Sequence, residues 1–560
     1  MNLLGRASDP IFWSEEVRNG ECYKAYVAER NRDWIKYCEN AQIDELKYTD
    51  FRRFFIDGDR GIYQKPYYTR RGQLATSAIM ALIYPDEQKY IDYLNDAVFA
   101  ICNEYTWSIP AHQPKLEVYD KTFIDLFAAE TGFALAEIYT LLGDRLDKLI
   151  RERIKFEINE RIISSFMSDR YYWWEQRCTN NWAAVCGGSV GCTFMLMRPD
   201  LFCEIKPRLD KIMEAFLSGF KDDGYCLEGT GYWHYGFGYF VTYADMLKSF
   251  TDGKEDYFTR EKVRTISTFI QKMYLSGMSS VSFADSGSTL KYHIGIVHYL
   301  KNLYPDDIKV YSPDFCYYVD GCFRFALLVR SASWLDEKIF NAPSAEFESA
   351  EYYAEESEWY IRRASYYGFA AKGGNNAEHH NHNDVGSFIF AKDGKHILTD
   401  MGSGAYTRQY FRNETRYGII ECSSLGHSLP FFGENGVQKH GALYKAEDTK
   451  VSGGFSADIS KAYGIAELSS LKREFVFSDF DVILTDSFDY SGGEYITERF
   501  VTPAPPSVEC GKVILDGGEM RFDEKLTPTV TETVNTKKKT VYFIDFKLSP
   551  DTKQFTITLK

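Results

Sequence analysis

The chain has 560 residues, of which 44% are hydrophobic and 26% charged, the balance of an ordinary globular enzyme. Its formal net charge of −15 excludes general nucleic-acid binding, which needs a basic footprint. No uncharged apolar run approaches the roughly 18 residues of a membrane span, so none is expected.

No apolar core follows Met1–Arg6, so a secretory signal is not expected. The 12 cysteines are scattered without a CxxC pair, and Cys178, Cys186 and Cys192 sit inside a helical pattern. Reduced thiols in a cytoplasmic protein are the expectation. Tyr and Phe number 41 each, and most of these rings are expected in the core, with a minority lining a cleft.

The first part of the chain predicts helices. Leu74, Ala75, Ala78, Ile79, Leu82 and Ile83 form one apolar face, and Ile91, Leu94, Val98, Phe99 and Ile101 a second. Phe123, Leu126, Phe127, Phe133, Ala134, Ile138 and Leu141 mark a third, with Gly143 placed as its C-cap. Similar patterns recur near 144–165, 181–197, 206–220, 236–250, 258–276 and 289–303, joined by short loops. Consecutive helices so joined pack as antiparallel neighbours. With no fixed repeat to favour a solenoid, a ring of hairpins is the alternative.

Near residue 340 the pattern turns to strands. Trp359–Ile361, Tyr366–Ala371, Ser387–Ala391 and His396–Leu398 are short apolar runs, the last two separated by Lys392-Asp393-Gly394-Lys395. Asp-Gly between such runs predicts a hairpin. Further runs are Phe475–Phe477, Val482–Leu484, Val513–Leu515, Thr540–Phe543 and Phe555–Thr558. Helices first and strands later predict two domains, 1–340 and 341–560. A cleft between them is the default active site.

Three constellations carry chemistry. Asn180-Asn181 opens a helix rich in small residues. One Asn is expected as the cap, leaving the other amide to face a cleft. In Asp223–Gly236, glycines and dense aromatics enter a helix, where Tyr232 and Tyr235 are three apart on one expected face. A phenol here can transfer a proton, with Glu228 to orient it. The third is Glu378-His379-His380-Asn381-His382-Asn383-Asp384, followed by Asp400 and His427. In an extended segment His380, His382 and Asp384 would share a face and offer a metal two ligands, or one ligand and one base. A straight hairpin would hold Asp400 roughly 16 Å from His382 at the usual strand rise. The His-rich segment must therefore bend, which Gly373-Gly374 and Gly386 allow.

His380-x-His382-x-Asp384-x-Gly386-x-Phe388 with Asp400-x-Gly402 resembles the β-domain signature of the heparinase II/III-like polysaccharide lyases. Ser424-x-x-His427 with Gln438 resembles a further motif of that family, with Ser428 where Asn is usual. Asn180-Asn181-Trp182 and Asp223…Tyr235 resemble its toroid motifs, so the likeness spans roughly residues 70–500. The resemblance implies an incomplete α/α toroid followed by an antiparallel β-sandwich. It implies β-elimination in a 1,4-linked uronic-acid polymer, either a glycosaminoglycan such as heparan sulfate, hyaluronan or chondroitin, or alginate. It implies a structural divalent metal, zinc or manganese, on residues matching His382, Asp400 and His427.

Elimination removes the proton at C5 of the uronate and expels the C4 oxygen. Asn181 is expected to neutralise the carboxylate, Tyr235 to act as acid or as both acid and base, and His380 as base or as partner of the phenol, with Tyr232 as substitute for Tyr235. An acidic protein acting on an acidic polymer requires a local basic or amide-lined cleft. The rival readings are a toroid glycoside hydrolase using Glu175, Glu228 and Asp223, a hydrolase whose metal activates water, and a binding protein without catalysis.

Overall fold

The computed structural model describes residues 2–116, 120–311, 315–317 and 320–560. The chain forms two compact units. The first comprises Met1–Gly219, Tyr232–Ser267 and Tyr292–Ala345, and the second Phe220–Gly231, Thr268–Lys291 and Glu346–Lys560. The last crossing lies close to the expected boundary at 340. The two earlier excursions into the second unit leave no composition shift in the sequence.

The first unit is the incomplete α/α toroid. Its longer helices include Lys24–Tyr37, Gly61–Ile83, Gln88–Cys102, Leu126–Leu142, Lys148–Ile158, Asn181–Met197, Phe202–Ser218, Gly238–Phe250, Ile294–Leu303 and Phe325–Ser333. Gly61–Ile83 is buried on every side from Arg70 onward, as an inner helix must be. Gln88–Cys102 is instead amphipathic: Ile91, Leu94, Val98 and Ile101 are buried, whereas Phe99, expected on that face, lies beyond its edge and is exposed. The helix Leu126–Leu142 ends where expected, but Gly143 is right-handed (φ −51°) and starts a 3-10 turn instead of a left-handed cap. The stretch Leu126–Arg145 is apolar and long enough to cross a membrane, yet 72% of its apolar window is buried inside the protein, as in a core helix.

Asn181–Met197 shows why small residues matter here. A Cβ at Gly187 would meet Ile212 at 2.7 Å, and one at Gly191 would meet Tyr243 at 2.5 Å. Glycine thus lets Phe202–Ser218 and Gly238–Phe250 close onto this helix.

The second unit is the antiparallel β-sandwich. A five-stranded sheet runs in spatial order Lys395–Leu398, Phe388–Lys392, Gly368–Lys372, Trp359–Arg363, Ala350–Ala354. An eight-stranded sheet includes Leu468–Phe477, Val482–Tyr490 and Gln554–Leu559 as neighbours, and a four-stranded sheet pairs Ile496–Thr502 with Thr540–Leu548. Phe369, Phe388, Phe475, Phe500, Phe546 and Phe555 meet in one core. Strand alternation also turns Arg473 and Asp486 inward, where with Glu498 they form a buried ion cluster. The Asp-Gly hairpin is present: Asp393 (φ 48°) and Gly394 (φ 77°) both take the positive φ of a type I′ turn.

Candidate active site and metal cluster

The His-rich segment is not extended. It bends through Gly374 (φ 71°) and Gly386 (φ 85°), as the hairpin geometry required, and also at His380, which is itself left-handed (φ 58°). Such a backbone is strained for a residue with a Cβ. Arg416 holds it: its guanidinium donates to the carbonyls of His380 and Asn381 at 3.0 Å each. Gln438 pins the far end by pairing with both backbone groups of Val385 (3.0 and 2.7 Å).

The bend corrects the expectation of one shared strand face. His382 and Asp384 converge with Asp400 and His427, all buried, with one potential ligand atom from each within 4.8 Å of the others. His380 points instead to Asp285. The cluster contains the three expected residues and adds Asp384, whose Oδ1 takes a 2.7 Å hydrogen bond from Lys372.

The chemistry of the four donors fits a cation. His382 Nε2 faces Asp285 (3.2 Å) and His427 Nε2 faces the Glu421 carbonyl (3.0 Å). Both partners only accept, so both Nε2 atoms carry hydrogen and the Nδ1 atoms are left toward the cluster. His382 Nδ1, His427 Nδ1, Asp384 Oδ2 and Asp400 Oδ2 are buried without a hydrogen-bond partner. His427 Nδ1 lies 2.8 Å from Asp400 Oδ2. Two imidazoles and two carboxylates form a donor set that suits zinc or manganese.

Asp285 carries no motif that the sequence reading could use. It lies in Phe283-Ala284-Asp285-Ser286-Gly287, within a short excursion of the chain into the β unit. Its buried carboxylate accepts from His380 Nδ1 (2.7 Å), His382 Nε2 (3.2 Å), Tyr406 (3.0 Å), Tyr410 and Arg416 (3.4 Å). Burial pushes its pKa up, but the hydrogen bonds from the two histidines outweigh this and hold it well below the carboxylate range. With Nδ1 anchored, His380 presents Nε2, which lies 3.7 Å from Glu228 Oε2. Glu228 is held there because Gly229 (φ 105°) leaves room for Ser286 Oγ, which would stand 2.0 Å from a Cβ, and Ser286 accepts from the Thr230 amide.

Asn181 and Tyr235 belong to the helical unit. Asn180 is the cap, its side chain accepting from the Trp182 amide at 3.1 Å, so Asn181 is relieved of that task. Gly236 packs against Asn181, since a Cβ there would stand 3.0 Å from the Asn181 Cβ. The turn that carries Tyr235 therefore packs against the start of the helix that carries Asn181. Trp182 makes ring contacts with His112 (4.7 Å) and Trp173 (4.7 Å), an aromatic surface beside Asn181.

Tyr235 sits on a π-helical turn, Trp233–Phe237, and is buried, whereas Tyr232 precedes the turn and is half-buried. The wider turn places the two phenols in different surroundings instead of on one face. The Arg324 guanidinium lies 3.8 Å from the Tyr235 ring centroid and pairs with Glu130 at 3.0 Å. Within this unit the carboxylate beside Tyr235 is thus Glu130; Glu228, expected in that role, faces His380 in the β unit. Burial pushes the Tyr235 hydroxyl well above the phenol range, more than Arg324 pulls it down. Burial likewise raises Glu130 to about 6, against the pull of Arg324.

The carboxylates a hydrolase would need are committed elsewhere. Glu175 is gripped by Arg208 and accepts from the Tyr172 amide. Asp223 accepts from Ser357 and from the Tyr225 amide.

A helical toroid followed by an antiparallel β-sandwich is the fold that this chain shares with solved polysaccharide lyases. Among solved structures, the chain is similar to heparinase III (TM-score 0.62, 13% identity, 89% of this chain and 77% of that one). It is similar to a mutant of the heparan sulfate lyase HepC from Pedobacter heparinus (TM-score 0.57, 11% identity, 96% and 82%). It also resembles the chondroitin AC lyase of Streptomyces coelicolor A3 in complex with chondroitin sulphate (TM-score 0.59, 10% identity, 97% and 80%). No protein-family model matches the sequence, and no curated protein does.

Proposed function

We propose that this protein is a polysaccharide lyase that cleaves a 1,4-linked uronic-acid polymer or oligosaccharide by β-elimination, leaving a 4,5-unsaturated uronate end. The observation that carries the reading is the likeness, over nearly the whole chain, to lyases whose names state action on heparan sulfate and chondroitin. A glycosaminoglycan is accordingly the first substrate to test, and alginate the second.

The chemistry assigns roles. The C5 proton is weakly acidic while the uronate carboxylate is charged, so a donor to that carboxylate must come first. Asn181 supplies an amide for it. Tyr235 is a phenol, protonated at neutral pH, and can give that proton to the departing C4 oxygen. His380 is the base, with Nε2 as its acceptor atom because Asp285 occupies Nδ1. Glu228 attends His380, and Tyr232 is the second phenol of the same segment.

His382, Asp384, Asp400 and His427 would hold a divalent metal, zinc before manganese. Bound there, the metal would supply cross-linking of three chain segments, a structural contribution. We place the protein in the cytoplasm, acting on imported oligosaccharides.

The test is incubation with heparan sulfate, hyaluronan, chondroitin and alginate while following ultraviolet absorbance of the new double bond. Absorbance from at least one polymer is expected. Cleavage without absorbance would replace elimination by hydrolysis, and no cleavage of any would overturn the reading.

A further inference from the structure

We infer that Asp285 is a positioning residue that couples the metal cluster to His380, one carboxylate fixing the tautomers of the base and of a metal ligand together. The inference rests on the lyase reading for the role of His380, and on the donor set for the metal.

Its two oxygens divide the work. Oδ2 takes the His380 Nδ1 hydrogen at 2.7 Å, and Oδ1 takes the His382 Nε2 hydrogen at 3.2 Å. A carboxylate accepts and cannot donate, so in the neutral rings the hydrogen sits on Nδ1 of His380 and on Nε2 of His382, which makes His380 Nε2 and His382 Nδ1 the lone-pair atoms. The first atom faces Glu228 and the second faces the cluster. Opposite ring nitrogens of two histidines two residues apart are thereby selected by one side chain. The left-handed turn at His380 makes this possible, because it aims both rings at the same carboxylate.

The carboxylate is itself fixed. Tyr406, Tyr410 and Arg416 fill its remaining acceptor positions, and Arg416 also holds the carbonyls of His380 and Asn381. Five donors on one carboxylate leave it no alternative orientation. Ligand and base are therefore set by the same group, so a change at Asp285 reaches both. Carboxylates that orient a metal-bound imidazole contribute about 10- to 100-fold to metal affinity or activity.

Asp285→Asn keeps the shape and destroys the double acceptance, since one of its two positions becomes a donor. The full-length variant should bind zinc 10- to 100-fold more weakly in competition with a chromophoric chelator. Its kcat should fall at least tenfold, with KM within about twofold. His380→Gln should lose kcat and keep wild-type zinc affinity, which separates the two arms. The decisive readout is the tautomer state from nitrogen-15 spectra of the histidine-labelled, zinc-loaded wild-type chain, which also stands if Asp285→Asn fails to fold. His380 should carry its hydrogen on Nδ1 and His382 on Nε2. His380 protonated on Nε2, or Asp285→Asn with unchanged zinc affinity, overturns the coupling. If no uronate polymer is cleaved, the zinc and tautomer results still report on Asp285, so the two failures are distinct.

Discussion

Replacing Arg473 by Met removes the one cation from the interior of the β-sandwich ion cluster while keeping much of the side-chain volume. Its guanidinium bonds Asp486 twice (Nε to Oδ1 2.9 Å, Nη2 to Oδ2 2.6 Å), reaches Glu498 at 3.3 Å, and donates to the carbonyls of Gly386 (3.1 Å) and Ser428 (2.7 Å). All three side chains are buried. Breaking a buried pair by removing one partner costs about 3–5 kcal/mol. Burial and the neighbouring Asp486 already raise Glu498 well above its ordinary range, so it takes up a proton and only one charge is stranded. That argues for the middle of the range, about 4 kcal/mol. In a unit of this size each kcal/mol shifts Tm by about 2–4 °C, so the melting temperature should fall by about 8–16 °C. Circular dichroism of the sheet signal measures it. The companion Arg473→Met, Asp486→Leu, Glu498→Leu should recover most of the loss, because an apolar replacement of a buried triad strands no charge. Zinc affinity should fall with the single variant, since Gly386 and Ser428 flank the segments bearing His382, Asp384 and His427. A single variant melting within about 2 °C of the parent would refute the reasoning.

Tyr235→Phe should lower kcat by about 10²–10⁴-fold on the cleaved polymer, and near-normal turnover would remove Tyr235 from the mechanism. Elemental analysis of the purified protein should find about one zinc or manganese per chain; stripping it should lower Tm, and His427→Ala should abolish its retention. The buried His298 accepts from the Asp336 amide at 3.1 Å, and burial depresses its pKa to about 4, more than Asp336 raises it. A depressed folded-state pKa gives stability that is complete above pH 6.5 and is lost as pH falls toward 4, about 3 kcal/mol at the limit. His298→Asn, which keeps an acceptor in the place of Nδ1, should flatten the melting curve against pH across that window; an unchanged slope would count against it.

The helical and strand regions were legible because burial imposes periodicity: Ile91, Leu94, Val98 and Ile101 keep one face, and Asp393-Gly394 has only one comfortable turn. His382, Asp400 and His427 were legible as a set through the family resemblance, because they stand far apart in the chain and no spacing rule joins them. Asp384 stood in the same motif, where strand alternation put it on one face with both His380 and His382 and so could not separate ligand from base. The left-handed residue that separates them depends on Arg416, 36 residues away. Asp285 was not legible at all, since a single Asp in a serine- and glycine-rich loop has the local signature of a turn. Glu130 was hidden inside an apolar helix pattern, and only packing shows that it stands beside Arg324 and Tyr235.

The two crossings of the chain into the β unit before residue 292 bear on inheritance. Asp285 precedes His380 by 95 residues and is encoded within the helical half of the gene. A recombination joining residues 346–560 to another protein would carry every strand of the three main sheets and all four residues of the cation cluster. It would leave behind Asp285, which orients His380, and Glu228, which faces it. The sandwich can therefore be borrowed as a scaffold, but the contacts that orient His380 pass on only with the earlier part of the chain.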